Sequence, residues 1–346
     1  MLKNKYNNRI WLLDCTLRDG AYINLSQFGA LAIKGLIKKM QDSNIEIIEC
    51  GWLKDSIYKE GSSYFHMPSD IIPYLIDKNP CYTYVAMIDY DRYNVDAMED
   101  YDGKSIDAIR VVFPYGKHFQ AIRVGEKIRN KGYRVFYQLA NTLAYSDEDL
   151  VEISVCMNEF KPEAIYVVDT FGAMYPEDVD RILGVIEPLL DKNIALGFHA
   201  HNNLQLAFAN TIRFIEFLRD IDRNMIVDSS LCGMGRGAGN TTTELIANYI
   251  NIKYNGSYNM DAVMDAIDMY MENLKEKYTW GYSTQYFING IYQCHVNNTK
   301  YLLNNYKIAY HDMRLIIESL SINERRKYDY DVLENKKTRY YKNIEK

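Results

Sequence analysis

The sequence predicts an α/β fold, a closed (β/α)₈ TIM barrel with a helical C-terminal extension, on three observations. Eight apolar runs of strand length alternate with segments of helical spacing. Several runs are apolar throughout, as strands buried on both faces of a parallel sheet are. Nearly every run ends in polar or glycine residues, which a barrel gathers on one rim where its chemistry is assembled.

In order, the expected strands are Ile10–Asp14, Ile45–Gly51, Thr83–Ile88, Ala108–Phe113, Arg134–Leu139, Ala164–Val168, Ala195–Phe198 and Met225–Val227. A doubly wound sheet would share the pattern, but the count of eight favours closure. Between them lie amphipathic helices, such as Gln27–Ser43 with apolar Leu31, Leu36, Ile37 and Met40, and Pro176–Leu190 with proline in its first turn. The polar ends are Asp14 with Arg18 and Asp19, Glu49 with Gly51, Asp89, Arg110, Gln138 with Asn141, Asp169 with Thr170, His199 with His201 and Asn202, and Asp228 with Gly233. Gln138, Asp169 and Thr170 are thereby candidates for substrate contact.

After Tyr249 the character changes. Residues 1–254 are read as the barrel and 255–346 as the extension, a lid or oligomer contact with helical patterns over Met260–Tyr278 and Thr284–Tyr292. From about Arg325 the chain is so polar that a peripheral helix or partial disorder is expected.

A net charge of -6 holds no polyanion, so nucleic acid is not an expected partner. No apolar run is long enough for a bilayer, and Met1–Tyr6 lacks the apolar core of a signal peptide, which places the protein in the cytoplasm. The six cysteines stand singly, without zinc-ribbon or redox spacing, and are read as reduced thiols; Cys15, Cys50 and Cys232 fall near strand ends. The 31 tyrosines are ascribed to packing and composition. A homo-oligomer is among the expected forms.

The chemistry starts from Ile194–Asn203. In an extended chain alternate residues share a face, so His199 and His201 can grip one ion, and Asp19 supplies the carboxylate that the pair lacks. This mixed oxygen and nitrogen set has open positions, as a catalytic divalent site does; Mn²⁺, Mg²⁺ and Zn²⁺ would all accept it. Arg18 brings a fixed charge for an enolate or carboxylate oxygen, or else a salt bridge to Glu49 or Asp169. The glycine-rich stretch Leu231–Asn240 is a tight strand-to-helix turn, a backbone anion site, or a loop that presents Asn240 to the metal.

The set Leu13-Asp14-Cys15-Thr16-Leu17-Arg18-Asp19-Gly20, Ile48-Glu49-Cys50-Gly51, Phe198-His199-Ala200-His201-Asn202-Asn203-Leu204 and Gly233-Met234-Gly235-Arg236-Gly237-Ala238-Gly239-Asn240-Thr241 resembles the metal-dependent TIM-barrel lyases and aldolases. That superfamily includes HMG-CoA lyase, isopropylmalate synthase and 4-hydroxy-2-oxovalerate aldolase. The resemblance covers roughly residues 9 to 250. The glycine-rich loop lacks the Glu-Arg pair of the acyl-CoA synthases and looks most like that of the hydroxy-oxo-acid aldolases.

The resemblance implies Asp19, His199 and His201 as metal ligands, Asn240 as neighbour or further ligand, and Mn²⁺ as the first metal to expect. It also implies Arg18 as stabiliser of a pyruvate enolate, Glu49 as the acid at the second strand, and Tyr282, with Ser283, as a lid residue facing a 2-oxo acid. One position departs: the aldolases carry a histidine base where this chain has Tyr22, a phenol with an ordinary pKa near ~10. Either Tyr22 is tuned, or a bound water takes the proton, or the substrate differs. The expected activity is cleavage or formation of a carbon–carbon bond in a 4-hydroxy-2-oxo acid. The rivals are an acyl-CoA Claisen-type enzyme and a non-catalytic metal-binding barrel.

Overall fold

A computed structural model describes residues 10–344; Met1–Tyr6 lies outside them. Nine strands form one parallel sheet: β1 Ile10–Asp14, β2 Ile47–Leu53, β3 Tyr64–Phe65, β4 Thr83–Asp89, β5 Ala108–Phe113, β6 Arg134–Leu139, β7 Ala164–Asp169, β8 Ala195–Ala200 and β9 Met225–Ser229. Their order is β1-β9-β8-β7-β6-β5-β4-β2-β3, and a β1–β2 pairing closes the eight long strands into the expected barrel. The two-residue β3 is an addition on β2, where Trp52 pairs with Tyr64.

Side chains alternate across the strands with period two. Trp11, Leu13, Ile47, Val85, Ala108, Phe136, Tyr166, Ala195 and Ile226 fill the barrel interior, while Ile10, Leu12, Ile48, Ala86, Ile109, Val135 and Ile165 face the helices. Gly197 is the interior exception: a Cβ there would lie 2.3 Å from the Tyr166 ring, so the large aromatic takes the missing side chain's space. This alternation decides which strand-end groups reach the mouth.

β2 departs from its expected bounds. It runs past Gly51 to Leu53, with a register break against β4 between Glu49 and Gly51. Glu49 therefore sits inside the strand, pointing into the barrel, rather than at its end. The first long helix is Ala30–Asp42; Ile33, Leu36, Ile37 and Met40 are buried and Leu31 is exposed. Pro176 occupies the first turn of the helix Pro176–Leu189, as expected.

The helical stretch between Met260 and Lys277 adds Val263, Ala266 and Met271 to the barrel core. A separate small core of Ile288, Cys294, Leu302, Met313, Ile316, Ile317, Leu320 and Leu333 belongs to the helices from Thr284 onward. Beyond Arg325 the polar tail is helical, over Tyr330–Ile344.

Candidate metal centre and active-site cavity

β1 gives way to the one-turn helix Thr16–Asp19, which carries Arg18 and Asp19 over the barrel mouth. Asp14, on the outward parity, holds this turn in place: it accepts from Thr16 N and Thr16 Oγ1 and from Thr243 Oγ1 at 2.9–3.0 Å. Burial pushes its carboxyl up to about 6 against those bonds.

On the far side, β8 delivers His199 and His201. One Asp19 carboxylate oxygen lies 3.4 Å from Nε2 of each imidazole. The opposite ring nitrogens are held: His199 Nδ1 contacts Asp228 Oδ2 at 2.9 Å and His201 Nδ1 contacts the Asp169 carbonyl at 3.1 Å. Bonds of that kind fix ring orientation and leave Nε2 free for a ligand. Both Nε2 atoms, both Asp19 oxygens and Asn240 Oδ1 are buried without a hydrogen-bond partner. Asp19 Oδ1 has Arg18 Nη1 at 3.1 Å as its counter-charge, and a divalent cation would satisfy the remaining ligand-type atoms.

Asn240 arrives on the glycine-rich loop. Position 239 has φ +88° and its Cβ would sit 1.9 Å from the Gly233 carbonyl; at 235 a Cβ would sit 2.5 Å from the Asn240 amide. Only glycine lets the loop close this tightly. In the loop the N–H of Gly233 donates to the Ser230 carbonyl, Met234 to Leu231, Ala238 to Asn203 Oδ1, Gly239 to Arg236 and Asn240 to Gly233. The loop brings Asn240 beside β8, where it bridges to His201. Asn240 Nδ2 donates to Cys15 Sγ at 3.6 Å, which turns its Oδ1 away from the sulfur. Cys15 Sγ, Asp19 and His199 offer ligand atoms within 4.8 Å of one another.

Beneath the imidazoles runs a closed circuit of buried charge. Arg18 pairs with Asp19 at 3.1 Å and with Glu49 at 2.7 Å. Glu49 also holds Arg110 at 2.8 Å, Arg110 pairs with Asp228, and Asp228 returns to His199. Three carboxylates against two guanidinium groups leave one excess negative charge when the imidazoles are neutral. Burial alone would raise Asp19, but Arg18 and the two imidazoles outweigh it and hold it well below the carboxylate range. His199 feels the same burial, yet Asp19 and Asp228 lift it; His201 is lowered, burial prevailing over Asp19.

A cavity of about 700 Å³ opens above this floor, lined by Arg18, Asp19, Tyr22, Gln138, Thr170, His199 and His201 among others. Gln138 Oε1 accepts from Arg110 at 3.0 Å and its Nε2 has no partner. Thr170 Oγ1 accepts from Asn141 N at 2.7 Å.

Three expected contacts are not brought to the cavity wall. Asp169 is on the outward parity and accepts from Ala173 N and Met174 N, fastening its own loop. Glu49 lies under the floor as a bridge between arginines. Tyr282 is 61 % exposed and outside the lining, whereas Tyr278, Gln285 and Tyr286 line it. Tyr22 does line it, edge-on to Trp52 with Arg236 over its ring at 5.5 Å; burial pushes its phenol well above the ordinary value, with Arg236 opposing. Asp228 and Arg110, in sequence only polar strand ends, join the buried charge circuit, and His295 of the extension lines the cavity.

Residues 118–270 match the model of the HMGL-like family. The chain is 27 % identical over 262 residues to 4-hydroxy-2-oxovalerate aldolase of Pelotomaculum thermopropionicum, covering 74 % of this chain and 75 % of that one. It is 40 % identical over 122 residues to the enzyme of that name from Thermomicrobium roseum, 35 % of this chain and only 32 % of the relative. The N-terminal domain of a proposed aldolase from Bacteroides vulgatus superposes on this chain with a TM-score of 0.73 at 24 % identity, over 86 % of this chain and 97 % of that one, which shows the shared fold.

Proposed function

We propose that this chain is a divalent-metal-dependent carbon–carbon lyase of the aldol class, acting on a 4-hydroxy-2-oxo acid that yields pyruvate and an aldehyde. The observation that carries the reading is the convergence of Asp19 with His199 Nε2 and His201 Nε2, both ring nitrogens buried without a hydrogen-bond partner, as Asn240 Oδ1 is too. Mn²⁺ is the first candidate; the ion would supply Lewis-acid polarisation of the keto oxygen. The names of the aldolase relatives support the same class.

The chain's own groups divide the rest of the work. Asp228 and the Asp169 carbonyl hold the two imidazoles with Nε2 forward. Glu49 fixes Arg18, whose Nη2 is buried and unpaired, so that its charge faces the oxygen on which negative charge develops. Tyr22 keeps its proton and serves as a hydrogen-bond donor to the substrate's hydroxyl or aldehyde oxygen, rather than as a base. Trp52, packed beside Arg18 and Tyr22, keeps that corner of the cavity dry.

Among the described residues no helix is long and apolar enough to cross a membrane. A small-molecule 2-oxo acid, a cytoplasmic setting and a homo-oligomer complete the proposal. The test is pyruvate release from a panel of 4-hydroxy-2-oxo acids by metal-loaded protein. Asp19→Ala and His199→Ala should abolish it with circular dichroism unchanged. Turnover that persists in the metal-stripped variants, or thiol release from acetyl-CoA in place of pyruvate release, would refute the aldolase reading.

A further inference from the structure

The cavity is large for pyruvate and a short aldehyde: at about 700 Å³ it lies in the range that takes much bulkier ligands. Its outer part is built partly by the extension, through Gln285, Tyr286, His295, Asn297, Lys300 and Tyr328.

Charge is unevenly distributed there. Lys54, Arg92, Arg236 and Lys300 line the cavity without an ion pair among the described residues, against the carboxylates of Asp89 and Asp91. Lys54 rests on the rings of Trp52 and Tyr64 instead.

At one point two donors converge. His295 Nδ1 accepts the N–H of Asn297 at 3.1 Å, which in a neutral imidazole puts the ring proton on Nε2. That Nε2 lies 2.5 Å from Arg236 Nη2, itself a donor. Burial and the Arg236 charge lower His295 to about 2, so the ring stays neutral. Tyr328 packs against it at 4.5 Å, tilted by 42°. The contact between Arg236 and His295 is donor against donor, a guanidinium having no acceptor; an oxygen that accepts from both groups relieves it, and next to a guanidinium the favoured acceptor is anionic.

We propose that Arg236 of the barrel loop and His295 of the extension clamp an anionic group, a carboxylate or phosphate, on the aldehyde half of the substrate. The inference rests on the aldolase reading above and assigns the class of its second product: an aldehyde bearing a terminal anion. The 2-oxo acid end is then held at the ion and Arg18, and the other end at Arg236 and His295.

The experiment uses the full chain loaded with Mn²⁺, pyruvate, and two matched aldehyde pairs: butanal against succinic semialdehyde, and glyceraldehyde against glyceraldehyde 3-phosphate. Deuterium exchange into pyruvate, which needs no aldehyde, is followed in parallel. Exchange with at least tenfold higher kcat/KM for the anionic member of a pair is the expected result, and the pair that shows it tells carboxylate from phosphate. Arg236→Leu and His295→Asn, the latter keeping an acceptor for the Asn297 N–H, should bring that ratio toward one, and Arg236→Lys should restore part of it. Exchange without a tenfold preference in either pair, or a ratio untouched in Arg236→Leu, overturns the clamp alone. Absence of exchange overturns the aldolase reading and the clamp with it.

Discussion

Asp228 shows how much of this site depends on a residue that never touches the cavity. Its carboxylate holds His199 Nδ1 at 2.9 Å and pairs with Arg110. Outer partners of this kind set tautomer and orientation, and losing one typically costs 10–100-fold in metal affinity. Asp228→Asn should therefore weaken Mn²⁺ binding by about that factor in a calorimetric titration, while Asp169→Ala, whose carboxylate is turned to its loop, should leave Mn²⁺ affinity within about threefold. Glu49 answers to the same logic with a larger stability term. It compensates two buried arginines, so Glu49→Ala should lower unfolding free energy in urea by about 3–5 kcal/mol. Of these residues, Asp19, His199 and His201 are legible in sequence because each belongs to a short pattern on a strand end. Asp228 and Arg110 appear there only as polar residues in apolar runs, and nothing in a run states which opposite strand it faces. Asp14 and Asp169 were readable with more care: counting in twos from Leu13 and Val168, which point inward, places both acids outside.

The elements carry this placement through parity and through tight turns. Inward positions of β2, β5, β6, β8 and β9 supply Glu49, Arg110, Gln138, His199 and Asp228, one per strand, because a parallel barrel with period-two alternation stacks its interior in layers. The loop after β9 then needs its glycines. Gly239→Ala forces a Cβ against the Gly233 carbonyl at a positive φ, and should destabilise the fold by about 1–3 kcal/mol and weaken Mn²⁺ binding by displacing Asn240. The turn after β1 makes a different prediction, read in pH. Asp14 has a folded pKa of about 6, above its ordinary 3.8, so its contribution is fully present below 3.8 and is lost as pH rises through 6. Asp14→Asn keeps the packing and places an amide against two hydroxyls that can rotate to accept. Urea unfolding at pH 5 and pH 8 should show the variant gaining about 1–3 kcal/mol relative to the native chain at the higher pH; an equal difference at both values would discount the buried acid. The boundaries least visible in sequence were those set by tertiary contact. β2 continues past its glycine because Ser63 and Phe65 pair with it, and Tyr282 misses the cavity because the helix Thr284–Ile291 begins just after it and turns Tyr286 inward instead.

At the scale of the molecule, two cores divide the labour. The proposed ion ligands Asp19, His199, His201 and Asn240 all stand on the barrel, whose core also takes in the helical stretch up to Lys277. The helices from Thr284 close around their own apolar cluster and contribute only walls: Gln285, Tyr286, His295, Asn297 and Lys300. Contact between the two includes the Arg236–His295 pair, while Trp280, in the connection, anchors to the barrel by donating from Nε1 to the Cys232 carbonyl at 2.9 Å. The physical consequence is that metal affinity and turnover should separate. A chain ending after Tyr282 keeps the floor of charge and the closed sheet, so its Mn²⁺ affinity should remain within about threefold of the native value. Its cavity would lose one wall and admit water, which weakens every electrostatic interaction that the floor directs at substrate. Pyruvate release should then fall more than tenfold, with the loss in kcat as well as KM. Calorimetry for Mn²⁺ and a coupled pyruvate assay on the same preparation decide the matter: joint loss of both would mean that the extension holds the barrel together, and joint retention would mean that the cavity works with its roof removed.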